Sequence, residues 1–195
     1  MNKILYVIVP GILLLGFGAN WVIQKANNSH DIPVIKQVPD FTFHDQDGQL
    51  FNKTRLANKI TVLDFMFTSC TGPCPLMSSN MATLYQEFQN VKEVQFVSVT
   101  VDPITDSEKA LKEYAEFLGV NDDRWQFIRS DLESTKKLKQ AGFMLYAGEL
   151  PQGHAIKFIL LDHNGNIRKY FDGTDDASQA VLRKDIAILV KELRS

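Results

Sequence analysis

Residues 60–67 form an apolar run that ends in the turn Thr68-Ser69-Cys70-Thr71-Gly72-Pro73-Cys74-Pro75 and then passes into helical spacing. A run of that length bounded by turn residues reads as a buried strand. Pro75 suits the first turn of a helix, where no amide donor is needed. Beyond it Leu76, Met77, Met81, Leu84, Tyr85 and Phe88 recur close to helical spacing and predict a helix over 74–88. A strand that hands over directly to a helix restricts the chain to folds built from β–α–β units.

The remaining segments extend that pattern. Phe41-Thr42-Phe43 and Leu50-Phe51, separated by Asp45-Gln46-Asp47-Gly48, predict a small opening hairpin. Residues 94–100 alternate and are rich in β-branched side chains, so they form a strand. Thr105-Asp106-Ser107-Glu108 reads as a capping box. It leads a helix with the apolar face Leu111, Tyr114, Ala115 and Leu118, ending at Gly119. A short strand over 125–128 and a short helix over 132–140 follow. Strands over 156–161 and 167–171 are joined through Asp162-His163-Asn164-Gly165, a hairpin signal, and residues 178–193 form an amphipathic terminal helix. The early β–α–β alternation predicts parallel pairing, and the closing hairpin adds antiparallel strands. The expected class is α/β. It is a thioredoxin-like fold with an N-terminal β-hairpin extension and a short insertion, preceded by a transmembrane helix.

Residues 4–23 carry no charged side chain, and a helix needs about 20 apolar residues to cross a bilayer. Lys3 precedes the run and Trp21 sits at its far edge, where an indole suits the interface. Pro10 and Gly11 are tolerated in a spanning helix. A cleaved signal peptide is the competing reading, but the run is long and no clear small-x-small site follows it. No cysteine lies near its end, which rules out a lipid anchor there. The expected organisation is an anchor over 1–25, a polar linker over 26–38, and a thioredoxin-like domain over 39–195. The domain is expected on the extracytoplasmic side of the cell membrane. The formal net charge of −2 gives no basic footprint for nucleic acid.

The chain has two cysteines, too few for a disulfide framework or an all-thiolate zinc site. A close pair in a domain with a sizeable core reads as metal-binding or redox-active. Cys74 is expected at the helix start, where the dipole lowers a thiol pKa, with Cys70 on the loop before it. Among four histidines, His154 directly precedes a predicted strand. Gly153-His154 stands where thioredoxins carry a cis-proline facing the cysteines, so its imidazole would face the sulfurs. Two thiolates and an imidazole suit copper, as Cu(I) or Cu(II); affinity alone leaves zinc open. His30, His44 and His163 read as solvated surface residues. Met66, Met77 and Met81 lie near the site in sequence, but methionines at these positions read as core. Asp102-Pro103 lies on the same sheet end as the cysteines, where Asp102 serves either as a turn residue or as an oxygen ligand.

On these residues the chain resembles the Sco (SenC) copper-chaperone family, from about residue 38 onward. The resemblance rests on the Phe67–Pro75 segment, on Val99-Thr100-Val101-Asp102-Pro103 with Asp106, on Gly153-His154 before a strand, and on Asp162-His163-Asn164-Gly165 with Tyr170-Phe171. It implies one copper held by Cys70, Cys74 and His154. It also implies a part in building the Cu-A centre of cytochrome c oxidase, with that enzyme's copper-bearing subunit as partner. Ala155 stands where many members have Ser or Thr, and Thr71-Gly72-Pro73 replaces the commoner Pro-Asp-Val. Neither departure removes a ligand. The alternative is a membrane-anchored thiol–disulfide oxidoreductase in which Cys70 and Cys74 are catalytic. A thiol peroxidase is disfavoured, because Phe67 stands where a threonine is usual three residues before the peroxidatic cysteine.

Overall fold

Two seven-residue strands, β4 (Ile60–Met66) and β5 (Val94–Thr100), are buried at every position. That is the burial expected of central strands covered on both faces. They run parallel, with Met66 opposite Thr100, so both end at the same level. The computed structural model describes residue 18 and residues 32–148, 150–151 and 155–195. The chain divides into two compact units, residues 1–32 and 33–195. Apart from Gly18, the anchor expected over 1–25 lies outside the described residues, as does His30. Among the described residues no helix is long and apolar enough to cross a membrane.

In the second unit the elements run β1 (Lys36–Gln37), β2 (Thr42–His44), β3 (Leu50–Asn52), β4, α1 (Cys74–Glu87), β5, α2 (Glu108–Phe117), β6 (Trp125–Ile128), α3 (Leu132–Lys137), a π turn (Leu138–Gly142), β7 (Lys157–Leu161), β8 (Asn166–Asp172) and α4 (Asp176–Arg194). The main sheet has the order β1-β8-β7-β4-β5-β6, and β2 with β3 forms a separate hairpin. Strands β4, β5 and β6 are parallel, while β7 is antiparallel to β4 and β8 to β7. This is the expected mixture of parallel centre and antiparallel closing hairpin. β1 falls inside the stretch read from sequence as a linker: Lys36 and Gln37 pair with Ile167 and Asn166 of β8.

Both ends of the sheet are blunted against edge-to-edge association, one by a very short edge strand and the other by a cover. β1 closes one side. On the other, His44 and Arg129 exchange backbone hydrogen bonds of 2.9 and 2.8 Å, and Phe127 N–H donates to Gln46 Oε1 at 2.8 Å. The opening hairpin is thus a cover for β6.

Helix boundaries follow local chemistry. α2 is capped by Ser107, whose hydroxyl accepts from Ala110 N at 3.2 Å. The capping box read at Thr105 does not form, because the helix starts two residues later, behind Ser107. Gly119 takes φ +77 just after α2, the left-handed closure that favours glycine. α4 begins at Asp176 behind the cap Asp175, slightly earlier than its apolar periodicity indicates. In α1 Met77, Met81, Leu84 and Tyr85 are buried as expected, but Leu76 is 52% exposed. Helix α1 closes tightly on the end of β8: a Cβ on Gly173 would stand 2.9 Å from Met77 Cγ, so a larger residue there would have to displace the Met77 side chain.

Candidate metal and thiol site

The common level at which β4 and β5 end brings two loops together beyond their carboxyl ends, where ligand sites of open α/β sheets form. One loop carries Cys70 and the other Asp102. Cys74 is the first residue of α1 and Pro75 follows it in the first turn, as the sequence suggested. The two thiols are not joined in a disulfide, and their side chains are hydrogen-bonded to one another. Cys70 is partly exposed and Cys74 is buried. Cys70 opens on a cavity of about 410 Å³ lined by residues that include Phe67, Gly72, Pro73, Asp102 and Pro151.

The helix start does not make Cys74 acidic. Burial pushes its thiol pKa well above the usual range, the hydrogen bond with Cys70 adds to this, and a backbone hydrogen bond at Phe67 only partly offsets it. A proton so firmly held yields to a strong electrophile, and a soft metal ion is one. The expected depression of thiol pKa by the dipole is outweighed here by desolvation.

Beneath the pair lies a polar residue that sequence reasoning missed. Asp64, in the middle of β4, is 1% exposed. Burial raises its pKa to about 7, partly opposed by a hydrogen bond from Ser98. The Ser98 hydroxyl in turn accepts from Trp125 Nε1 at 3.0 Å. Asp64 Oδ1 has no hydrogen-bond partner among the described residues. The charges of Asp64, Cys74 and Cys70 all act on Tyr114, whose pKa is raised chiefly by burial and whose hydroxyl bonds Ser78 at 2.9 Å. A lone carboxylate in a run that is otherwise buried on both faces was the available signal.

Asp106 fixes the cysteine loop. Its fully buried carboxylate accepts from Thr68 Oγ1 at 2.5 Å, from Thr68 N at 3.2 Å and from Thr100 Oγ1. It therefore pins the residue two positions before Cys70 to the end of β5. Asp106→Ala strands these donors and is expected to cost about 3 kcal/mol, since hydrogen bonds to a charged group contribute ~1.5–3 kcal/mol each. Urea unfolding of the metal-free chain measures it; a change under about 1 kcal/mol would contradict this role.

Among the other expected participants, Met66, Met77 and Met81 are buried in the core. Asp102 lines the cavity beside Cys70. His44 lies by the β6 edge, and His163 sits in its turn against Asn164. His154 lies outside the described residues, together with Glu149, Gln152 and Gly153. The Leu150–Pro151 bond is cis, and Pro151 lies in the cavity wall. Among the described residues no three His, Cys, Asp or Glu side chains gather for a metal ion.

A family model described as SCO1/SenC matches residues 32–190. An SCO1 protein homolog of Bacillus subtilis is 29% identical over 161 residues, covering 79% of this chain and 83% of the relative. A putative copper-binding protein of Stutzerimonas stutzeri is 26% identical, with 70% of each chain covered. The crystal structure of a SCO1/SenC family lipoprotein from Bacillus anthracis superposes with a TM-score of 0.73 at 31% identity, covering 79% of this chain and 95% of the other.

Proposed function

The chain belongs to the SCO1/SenC family, and from that premise we propose that it is a copper chaperone which holds one copper ion, as cargo, on Cys70, Cys74 and His154. The observation that carries the reading is the pair of thiols in mutual hydrogen-bond contact beside an open cavity. Two soft sulfur donors side by side suit Cu(I), and an imidazole would complete a site that also accepts Cu(II). The Stutzerimonas stutzeri relative, named a putative copper-binding protein, supports the same metal. Copper then leaves by ligand exchange with a recipient docked over the cavity. The recipient in this reading is the copper-bearing subunit of cytochrome c oxidase. The reading includes an anchor over 1–25 and a domain on the extracytoplasmic side, because residues 4–23 carry no charge.

Titration of the reduced full chain with Cu(I) against a competing chelator tests it. One equivalent binds tightly, and His154→Ala weakens binding by about tenfold or more, ~1.4 kcal/mol. Unfolding in urea of the metal-free variant is unchanged, since only a ligand is lost. Equal affinity in both proteins would sink the three-ligand site.

A second reading rests on the unequal exposure of the pair. Cys70 faces the cavity and Cys74 stands behind it. That suits thiol–disulfide exchange: the Cys70 thiolate attacks a partner disulfide, and Cys74 then displaces the partner from the mixed disulfide. The products are a Cys70–Cys74 disulfide and two partner thiols. A reducing step of this kind and copper loading are compatible, because a copper site built of thiols must first be reduced.

A further inference from the structure

Three parallel strands end side by side: Met66 of β4 stands opposite Thr100 of β5, and Val99 of β5 opposite Ile128 of β6. The chain leaving β4 carries Cys70, the chain leaving β5 carries Asp102-Pro103-Ile104, and the chain leaving β6 begins with Arg129. Cys70 and Arg129 therefore belong to one end of the sheet, on strands two spacings apart, about 10 Å. A second cavity, of about 550 Å³, opens here, with Pro103, Ile104, Arg129 and Leu132 among its lining residues. Asp102 lines the Cys70 cavity, so the two hollows flank one loop.

The second hollow is apolar around a cation that lacks a counter-charge. Among the described residues the Arg129 guanidinium makes one side-chain hydrogen bond, from Nη2 to Pro103 O at 2.7 Å, and no ion pair. Its Nε is buried without a partner. The one carboxylate in the wall, that of Asp131, is engaged elsewhere: it accepts from Ser134 N at 2.8 Å and from Ser134 Oγ at 2.6 Å. Ile104 stands clear of the surface, 87% exposed, on the rim next to the Cys70 cavity. An arginine beside an exposed aliphatic residue is the pairing that anchors protein interfaces.

We propose that this second cavity is a docking site for the protein that engages Cys70, and that it takes a carboxylate side chain of that partner on Arg129 and a neighbouring apolar side chain on Ile104. The inference rests on the reading of Cys70 as the sulfur at which a docked protein exchanges copper or a disulfide. A partner covering Cys70 from the open end of the sheet also covers the loop at Pro103 and Ile104. Covering the guanidinium with a neutral or basic surface would strip its water and give nothing back. A carboxylate meets it with charge-assisted hydrogen bonds, for which the planar guanidinium is shaped. Charge complementarity thus selects an acidic partner surface.

Two synthetic peptides test it, Ac-Cys-Gly-Gly-Gly-Gly-Leu-Glu-NH2 and its counterpart ending in Gln, each with its cysteine as a 2-pyridyl disulfide. Four glycines reach about 13 Å, enough to cross two strand spacings. The Cys70 thiolate of the reduced, metal-free full chain attacks the peptide sulfur, forms the mixed disulfide and releases 2-thiopyridone, whose absorbance gives the rate. At low ionic strength the Glu peptide is expected to react about fivefold faster than the Gln peptide. In Arg129→Gln the two rates become equal; a ratio is read because this variant also loses the bond to Pro103 and so shifts both rates together. Ile104→Ala slows both peptides about threefold, and serves if Arg129→Gln fails to fold. Equal rates in the wild-type chain, a preference that persists in Arg129→Gln, or unchanged rates in Ile104→Ala would overturn the proposal. Self-association of the chain that Ile104→Ala abolishes would assign the surface to a second copy and overturn it as well. No reading uses copper, so a chain that bound none would refute the chaperone while this ratio stood or fell separately.

Discussion

Asp64→Asn is expected to stabilise the folded domain by about 4 kcal/mol at pH 8 and by almost nothing at pH 4. The folded-state pKa of Asp64 is about 7, against an ordinary value of 3.8. Between those values the folded protein keeps a proton that the unfolded chain has released. Stability therefore falls as pH rises from about 4 to 7 and is level above, at ~1.4 kcal/mol for each pH unit crossed in that window. Asparagine cannot ionise, so the variant escapes that loss. Thermal unfolding of the metal-free full chain across this pH range measures it. A variant no more stable than wild type at pH 8 would mean that Asp64 is not held neutral at the base of the site. The retention of so costly a group directly under the cysteines argues for a use there, since an amide or apolar residue would fill the same volume at lower cost.

The second large effect concerns the sulfurs. Cys70→Ser and Cys74→Ser are each expected to lower Cu(I) affinity by about a thousandfold or more, ~4 kcal/mol. A hydroxyl is a hard donor and does not ionise near neutral pH, so it replaces neither thiolate's bond to a soft ion. Cys74→Ser also puts an alcohol into a site that is 1% exposed. Stability and affinity must therefore be measured on the same preparation. Competition with a chelator at fixed pH gives the affinity; a loss of less than tenfold in either variant would mean that copper binds elsewhere.

Much of this was legible in the chain because its local signals agree with one another. The run before Cys70, the proline after Cys74 and the periodicity beyond it all specify one strand, one loop and one helix. The structure has them at Ile60–Met66 and Cys74–Glu87. The β5 strand and the closing hairpin were equally plain, since β-branched alternation and turn residues coincide there. What stayed hidden depends on contacts distant in sequence. Asp106 looks like part of a helix cap until folding brings Thr68 within 2.5 Å of it. Lys36 and Gln37 look like linker because a two-residue strand has no periodicity; only β8 makes them an edge. Lys139 reads as an ordinary helical lysine, and the π turn that buries it has no signature of its own. The acidity of Cys74 escapes local reading for a related reason: helix dipole and proline are local, whereas desolvation comes from the whole core packed around the thiol.

X-ray absorption at the copper edge, on the full chain loaded with one equivalent of Cu(I), tests the ligand set most directly. The account predicts two sulfur scatterers and one imidazole nitrogen, with the imidazole signal lost in His154→Ala. A wild-type spectrum with sulfur alone, or one that the His154→Ala substitution leaves unchanged, would contradict it.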